Sequence, residues 1–543
     1  MALAFVLHSH LPYCRGAGRW PHGEEWLHEA ILGTYVPLLV LLFDLRSQGV
    51  PFQISVGITP ILLEQFVDPD IDRRFLEYVD DQIRRAEADT ALFADAGSSS
   101  RAALAAFYAD SYRKARDSYV RLFSRDLAGA FADLHRTGHL ELLTSAATHG
   151  YLPLLDDASV EAQLSIGASS TRRLLGVEAT GIWLPECAYA PGVERRLEAH
   201  GLTHFFTDAS LVAQGGPGTP AQRPGWQRSG ERSGEGLSLP RVGVGGELLE
   251  PYYVGDTRVA AVARHQAISG QVWSAAVGYP GDPFYREFHR KDDQSGIRYW
   301  RVTDTTVGLG EKAEYSVGAA AGRVREHAAH FLGLVAGELA RHEATMGGEG
   351  LLAATFDSEL FGHWWFEGID WLGLVLRGAA ERGIALTSVA AYLGRRPPRE
   401  RIALREGSWG KQNDHSTWLN ADTRWMWDEL AARAATLVAL DASPPSDALR
   451  ARAARQAARE LLLAQASDWP FLATTGQAVD YAIERFNSHV QRFDRAAALA
   501  ESGTRDDEAE LRTLERADNP FVDADPAAFA PPSRFEALGA RTG

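Results

Sequence analysis

Cysteine is nearly missing from this 543-residue chain: there are only Cys14 and Cys187. Two cysteines exclude a disulfide framework and fit a reducing compartment, so a cytoplasmic location is expected. Positive charge is also in deficit. Lys and Arg number 55 against 71 Asp and Glu, a formal net charge of −16. A phosphate backbone needs a basic face, so nucleic acid is not expected as a partner. No uninterrupted apolar run approaches the roughly 20 residues of a membrane span, and no membrane partner is expected. The N-terminal MALAFVL lacks a basic flank and runs straight into His8-Ser9-His10, so it reads as a strand, not a leader. There is no P-loop, no GxGxxG after a strand and no GxSxG elbow. Phosphoryl transfer, hydride transfer and serine-hydrolase chemistry lack their usual parts.

What is present is ordinary globular material, 45% apolar and 23% charged. The length exceeds one simple core, which suggests one large domain with additions. Seven short apolar runs stand out as strands: Leu3–Leu7, Phe52–Gly57, Leu140–Ser145, Gly181–Leu184, His204–Thr207, Val259–Ala263 and Leu351–Thr355. Helical patterns separate most of them. That alternation predicts parallel strands joined by crossovers, in an α/β fold close to a complete (β/α) barrel.

Polar residues gather just past the end of each run: His8 and His10, Thr59, Thr148 and His149, Glu186, Asp208, Arg264 and His265, and Asp357. In a parallel barrel these ends share the face where catalytic groups sit. A helical insertion is expected over 68–136, inside a barrel domain spanning 1–395. A helical region over 396–525 and a tail over 526–543 complete the expected organisation. The Gly-, Ser-, Pro- and Arg-rich stretch 215–236 reads either as a linker or as a loop covering the same face, with Trp226 as its aromatic residue.

His8 and His10 lie two apart on a strand and so share a face. Zinc needs at least three protein ligands, and Asp208 or Asp357 could supply the third. The alternative reading is that the histidines bind a polar ligand or are structural. FDSELFGHWWFEG (356–368) is the densest polar-aromatic stretch. THGY (148–151), VWS (272–274), GYPGDPFYREFHR (278–290), EGSWGKQNDHSTWLN (406–420) and ASDWPF (466–471) follow the same style. Aromatic faces beside acids, amides and histidines suit sugar rings, which offer an apolar face and a rim of hydroxyls. Two strand-end carboxylates, Glu186 and Asp357, suit glycosidic chemistry, where a retaining pair stands roughly 5–5.5 Å apart. Cys187, next to Glu186, reads as a small core residue.

HSHLPY, GIWLPECAY, FDSELFGHWWFEG, EGSWG…DHSTWLN and ASDWPF, in that order, resemble glycoside hydrolase family 57, and within it the 1,4-α-glucan branching enzymes of the Thermus type. The resemblance runs from His8 to about Phe521. It implies an incomplete (β/α)7 barrel with an inserted helical subdomain and a C-terminal helical domain, and a retaining mechanism with no metal or organic cofactor. Glu186 would be the nucleophile and Asp357 the general acid/base. His10, Trp20, His149, Trp273, Trp364, Trp409, Trp418 and Asp468 would line the site for an α-1,4-glucan such as amylose or a glycogen-type polysaccharide. A monomer is expected. Two departures from the family pattern stand out. Lys411-Gln412-Asn413 replaces a Gly-rich stretch, and the loop tyrosine of relatives has only Trp226 nearby, with Tyr252 and Tyr253 further on. An α-glucan hydrolase or 4-α-glucanotransferase, a zinc-dependent deacetylase-like hydrolase and a non-catalytic glucan binder are the remaining readings.

Overall fold

The computed structural model describes residues 1–18, 22–217, 247–274, 277–304, 306–445 and 447–530. Seven parallel strands form its centre: β1 (Ala2–Ser9), β2 (Ile54–Ile58), β3 (Leu140–Ser145), β4 (Gly181–Trp183), β5 (His204–Thr207), β6 (Ala260–Ala263) and β7 (Leu351–Asp357). β1 lies between β2 and β7, and pairing continues from β2 through β3, β4 and β5 to β6. The two ends of the row meet through a single parallel bridge, Arg264 to Ala353. The seven expected strands are all present, with bounds within two residues of those read from the sequence.

Four short strands have no counterpart in that reading: Gly216–Pro217, Tyr252–Val254, Ala385–Leu386 and Arg401–Ala403. Tyr252–Val254 runs antiparallel to β6 and carries the sheet off the barrel towards Arg401–Ala403. At two or three residues they are too short to show a period.

Every residue of β1 is buried, as a strand covered on both faces requires. Side chains two apart share a face, and the barrel separates them. Ala2, Ala4 and Val6 join Leu143, Trp183, Phe206, Val262, Leu351 and Ala353 in one cluster inside the barrel. Leu3, Phe5 and Leu7 join the larger core under the helices. The inward parity leads straight to the polar strand ends. Val6 is followed two residues on by His8, Phe206 by Asp208, Val262 by Arg264 and Ala353 by Thr355 and Asp357. Small alanines opposite Trp183 and Phe206 fill a narrow interior.

The first crossover helix, Glu24–Ser47, is long and apolar enough to span a membrane by length and composition, which the search for uninterrupted apolar runs did not reveal. Leu27, Leu38, Leu39, Leu42 and Leu45 are buried in the core. Mid-way it widens into a π turn, Ile31–Tyr35, a feature that often marks functional sites. Between β2 and β3, Pro69–Asp95 and Ser99–Asp117 form a long helical pair. The segment after β6 packs on that pair. Tyr299 donates to Asp89 at 2.6 Å, and Tyr108 donates to the Arg298 carbonyl at 2.7 Å. Within the polar-aromatic GYPGDPFYREFHR stretch, the Tyr279 and Tyr285 hydroxyls bond His330 and His327, each at 2.8 Å, so these residues are structural. Arg286 stacks on Phe366, 3.9 Å from the ring centroid, and its backbone N–H donates to Glu367. From Arg424 onward the chain is helical: Arg424–Ala442, Ala448–Ala464, Asp468–Thr475, Val479–Ser502 and Glu508–Ala517.

One contact shows how tightly the site is framed. Gly362, at φ +97°, lies in the turn after β7, and a Cβ there would sit 1.9 Å from the Gly33 carbonyl oxygen of the π turn. Thr34 donates to the neighbouring Phe361 carbonyl at 2.9 Å. Gly362→Ala should cost about 2–4 kcal/mol through backbone clash and left-handed strain. Thermal unfolding would show it as a clear drop in Tm. A Tm within a degree of the parent would mean that the two turns do not need this close approach.

Candidate active site

Glu186 does not simply extend β4. It stands in a tight turn, Pro185–Cys187, with φ 61°, and Cys187 follows at 49°. His149, after β3, has φ 61° as well. Left-handed backbone is costly for side chains with a Cβ, and such residues gather at functional sites. The turn points the Glu186 carboxylate at two donors. Trp409 Nε1 donates to Oε2 at 2.8 Å and Ser467 Oγ donates to Oε1 at 2.9 Å. His149 Nδ1 stands 3.8 Å from Oε1. Burial pushes Glu186 up to about 7; the Trp409 and Ser467 hydrogen bonds oppose the rise, and the Asp468 charge adds to it.

Asp357 ends β7 directly beside His8 of β1 in the strand register. Burial, and then the charges of Glu359 and Glu186, hold its carboxyl well above the usual range, against Arg264. Two carboxyls thus meet in one pocket with unlike surroundings. Glu186 accepts two hydrogen bonds that favour its charged form. Asp357 has anionic neighbours that favour its neutral form.

A histidine stack forms the adjoining wall. His10 and His149 have ring centroids 4.0 Å apart, and His8 stacks on Trp183 at 4.6 Å. His8 Nε2 and His149 Nε2 share a hydrogen bond of 3.1 Å, and His149 Nδ1 meets Ser467 Oγ at 2.9 Å. His10 uses both nitrogens, Nδ1 with Thr59 Oγ1 and Nε2 with Asp468 Oδ2, each at 3.0 Å. Burial would lower His10, but Asp468, Glu186 and Glu359 together raise it. Burial and the neighbouring histidines hold His8 and His149 well below the ordinary value.

Of the possible metal ligands, His10, His149 and Asp468 lie within 4.8 Å of one another. This is not the set that the sequence suggested. His8 bonds to His149, Asp208 pairs with Arg264 at 3.1 Å, and Asp357 lies among Glu359, Glu186 and Arg264. Each ring nitrogen of His10 and His149 already has a hydrogen-bond partner, so the set reads as a bonded polar wall.

Trp273 and Trp364 pair at a centroid distance of 5.9 Å, and Trp364 is 38% exposed. Trp409 is half-buried over Glu186. Trp418 differs from its expected place in the site lining. It is 1% exposed and packs on Tyr151, with ring centroids 4.6 Å apart, and on Phe471. It has no free face for a sugar ring and instead supports the segment that carries Trp409. Trp20 and Trp226 lie outside the described residues.

Several participants were not singled out in the sequence. Ser467 immediately precedes Asp468, but a lone serine carries no signal. Glu359 stands two residues after Asp357 and accepts from the His10 N–H at 3.1 Å and from the Tyr35 hydroxyl. Burial pushes Glu359 up to about 7, against the Tyr35 bond. Tyr35 reaches it only because of the π turn, which no residue pattern announces.

Comparisons with known proteins fit this geometry. A family profile described as 1,4-alpha-glucan branching enzyme, C-terminal, matches residues 427–529. A 1,4-alpha-glucan branching enzyme of Thermococcus kodakarensis is 40% identical over 540 residues, covering 96% of this chain and 77% of that protein. Its crystal structure, in complex with glucose and additives, matches with a TM-score of 0.86 at 38% identity, covering 97% of this chain and 96% of that one. The crystal structure of the α-amylase AmyC of Thermotoga maritima also matches, with a TM-score of 0.83 at 29% identity, covering 97% and 99%. The profile of Glycosyl hydrolase family 57 matches residues 4–404. That match reaches all seven barrel strands and both strand-end carboxylates, and the chain belongs to glycosyl hydrolase family 57.

Proposed function

We propose that the protein is a 1,4-α-glucan branching enzyme that cleaves α-1,4 bonds and re-forms them as α-1,6 branches by a retaining mechanism. One observation carries the reading: two buried carboxyls at one strand-end site with unlike partners, Glu186 holding two hydrogen-bond donors and Asp357 set among Glu359, Glu186 and Arg264. The branching-enzyme relative at 40% identity over 96% of the chain supports the acceptor assignment.

A linear α-1,4-glucan occupies the cleft, its rings against Trp273, Trp364 and Trp409 and its hydroxyls against His10, His149 and Asp468. Asp357, protonated, gives its proton to the departing 4-oxygen. Glu186, ionised, attacks the anomeric carbon and forms a glycosyl ester as the C–O bond breaks. Asp357, now a base, takes the proton from the 6-hydroxyl of a second glucan. That oxygen displaces Glu186, which restores the carboxylate and leaves an α-1,6 bond. Ser467 and Asp468 come from the helical part that follows the barrel, so the helices complete the site. This supports a division into a barrel unit and a helical unit that act together.

Water can take the acceptor's place, and the similarity to an α-amylase keeps hydrolysis as the second reading. Proton NMR of amylose digests separates the two, because branching raises α-1,6 signals with few new reducing ends. A product mixture with new reducing ends and no α-1,6 signal would make the protein a hydrolase.

Glu186→Gln should lower turnover by more than about 1000-fold, since an amide cannot attack the anomeric carbon. Asp357→Asn should cost about 10²–10⁴-fold on glucans. An α-glycosyl fluoride, whose leaving group needs little protonation, should recover much of the first step in Asp357→Asn and none in Glu186→Gln. Equal recovery in both variants would exchange or cancel the assigned roles.

The raised Glu186 carboxyl links activity and stability. The nucleophile must be ionised, so the acidic limb of kcat/KM should lie near pH 7, well above an ordinary glutamate. In the unfolded chain this group titrates near 4.5. The folded state therefore holds the extra proton between about 4.5 and 7, and stability falls as pH rises through that window. The penalty is on the order of 3 kcal/mol above pH 7. Glu186→Gln removes it, so the inactive variant should melt higher than the parent at pH 8 and alongside it at pH 4.5. A stability gain that does not change with pH would disprove the linkage.

A further inference from the structure

The segment Lys411-Gln412-Asn413, where this chain departs from the family pattern, stands next to the nucleophile. Gly407 exchanges both backbone hydrogen bonds with Tyr189, at 2.8 and 3.0 Å, and the Trp409 N–H donates to the Glu186 carbonyl at 3.1 Å. The loop is thus zipped onto the turn that carries Glu186. Its far arm closes on Asn413. The Asn413 N–H donates to the Gly410 carbonyl at 2.8 Å, and the Ser408 N–H donates to the Asn413 carbonyl at 3.3 Å. A Cβ on Gly407 would stand 2.2 Å from the Asn413 carbonyl oxygen. Lys411 and Gln412, at the tip, are exposed.

Asn413 has φ 56°, a conformation that asparagine and glycine tolerate better than other residues. Its Nδ2 donates to the Ser408 carbonyl and to Asp208 Oδ1, each at 3.2 Å. Asp208, at the end of β5, is 2% exposed. Its Oδ1 also accepts from the Ser210 N–H at 2.9 Å, and its Oδ2 takes Arg264 Nη2 at 3.1 Å. The Arg264 guanidinium carbon lies 5.6 Å from the centre of the Trp409 ring. An amide, a carboxylate and a guanidinium therefore connect the ends of β5 and β6 to both arms of the loop, and the loop presents the Trp409 N–H to Glu186.

We infer that Asn413 and Asp208 are positioning residues: with Arg264 they hold the Trp409 loop so that its indole N–H stays on the Glu186 carboxylate. This rests on the reading of Glu186 as the nucleophile. A hydrogen bond from an indole to a carboxylate is directional and stronger to the charged form. Apart from the backbone bonds of Asn413 with Gly410 and Ser408, the amide is the side-chain tether of this arm before the Asp414 carbonyl, which accepts from Ser408 Oγ at 2.5 Å. Other groups also lie around Glu186: His10, His149, Ser467, Asp468 and Asp357. None of them changes when the amide of Asn413 is removed, so a shift in Glu186 titration would report on Trp409.

The test is a double-mutant cycle on the full chain with amylose. Asn413→Gly keeps the left-handed backbone and deletes the amide, and Trp409→Phe keeps the ring and deletes the N–H. Asn413→Gly should lower kcat about 10-fold and move the acidic limb of kcat/KM about one unit to higher pH. In the Trp409→Phe background it should add little to either, since the two changes remove one interaction. Asp208→Asn keeps both Oδ1 bonds and loses only the charge pairing with Arg264; it should shift the limb the same way by less. An unmoved limb in Asn413→Gly, or its full effect persisting in Trp409→Phe, would overturn the inference. Glu186→Gln, run alongside, keeps the two questions apart. Near-normal turnover there would disprove the nucleophile assignment itself, whereas an inactive Glu186→Gln with a normal Asn413→Gly would disprove only the positioning.

Discussion

Four carboxyls, Glu186, Asp357, Glu359 and Asp468, meet at one end of a narrow barrel, and much of the surrounding structure answers their mutual repulsion. Each would be easier to hold in water. Burial disfavours the charged forms of Glu186, Asp357 and Glu359, and neighbouring acids add to the penalty on Glu186 and Asp357. The fold meets this with neutral donors and few cations. Glu186 takes an indole and a hydroxyl, Glu359 takes a phenol and a backbone N–H, and Asp468 takes His10. Arg264 is the cation that acts on Asp357, and it is itself paired with Asp208. The outcome is that Glu186, Asp357 and Glu359 are all held above the ordinary carboxylate range.

That arrangement grows from strand parity. The residues that fill the barrel, Ala2, Ala4, Val6, Phe206, Val262 and Ala353, are in phase with those that crown it, His8, Asp208, Arg264 and Asp357. A one-residue slip would turn the crown outward and put Phe5 or Phe356 inside. The interior has no spare volume for either ring, since alanines already face Trp183 and Phe206. Core packing and active-site placement are one constraint.

How much of this could be read from the sequence follows from the same physics. The seven strands were legible because buried parallel strands are continuous apolar runs, and Glu186 and Asp357 because each breaks such a run with a charge. Trp418 was misplaced because composition does not separate a tryptophan that lines a cleft from one beneath it. Only its packing against Tyr151 and Phe471 does. Tyr35 was invisible because its position depends on one extra residue in a helical turn. Ser467 was invisible because its hydroxyl acquires meaning only through Glu186, 281 positions away. The sequence grouped His10 with His8 and with Asp208 or Asp357, whereas His149 and Asp468 are the residues gathered around it. Spacing along one strand could not foretell that His149 and Asp468 would reach the same point from β3 and a distant helix.

Those distances have a consequence for assembly. His10 and Asp468, bonded at 3.0 Å, are 458 positions apart, and Ser9 and Ser358 bond across 349. Closing such loops costs chain entropy before any contact rewards it, so the site depends on closure over nearly the whole chain. Until the helix starting at Asp468 docks, Glu186 lacks the Ser467 hydroxyl and His10 lacks its carboxylate. A barrel folded without these helices would hold Glu186, Asp357 and Glu359 but would lack the Ser467 hydroxyl on Glu186 and the Asp468 carboxylate on His10. The hydrogen-bond pattern around Glu186 and His10 is therefore a property of the docked whole, and the helical part shapes the site as well as supporting it.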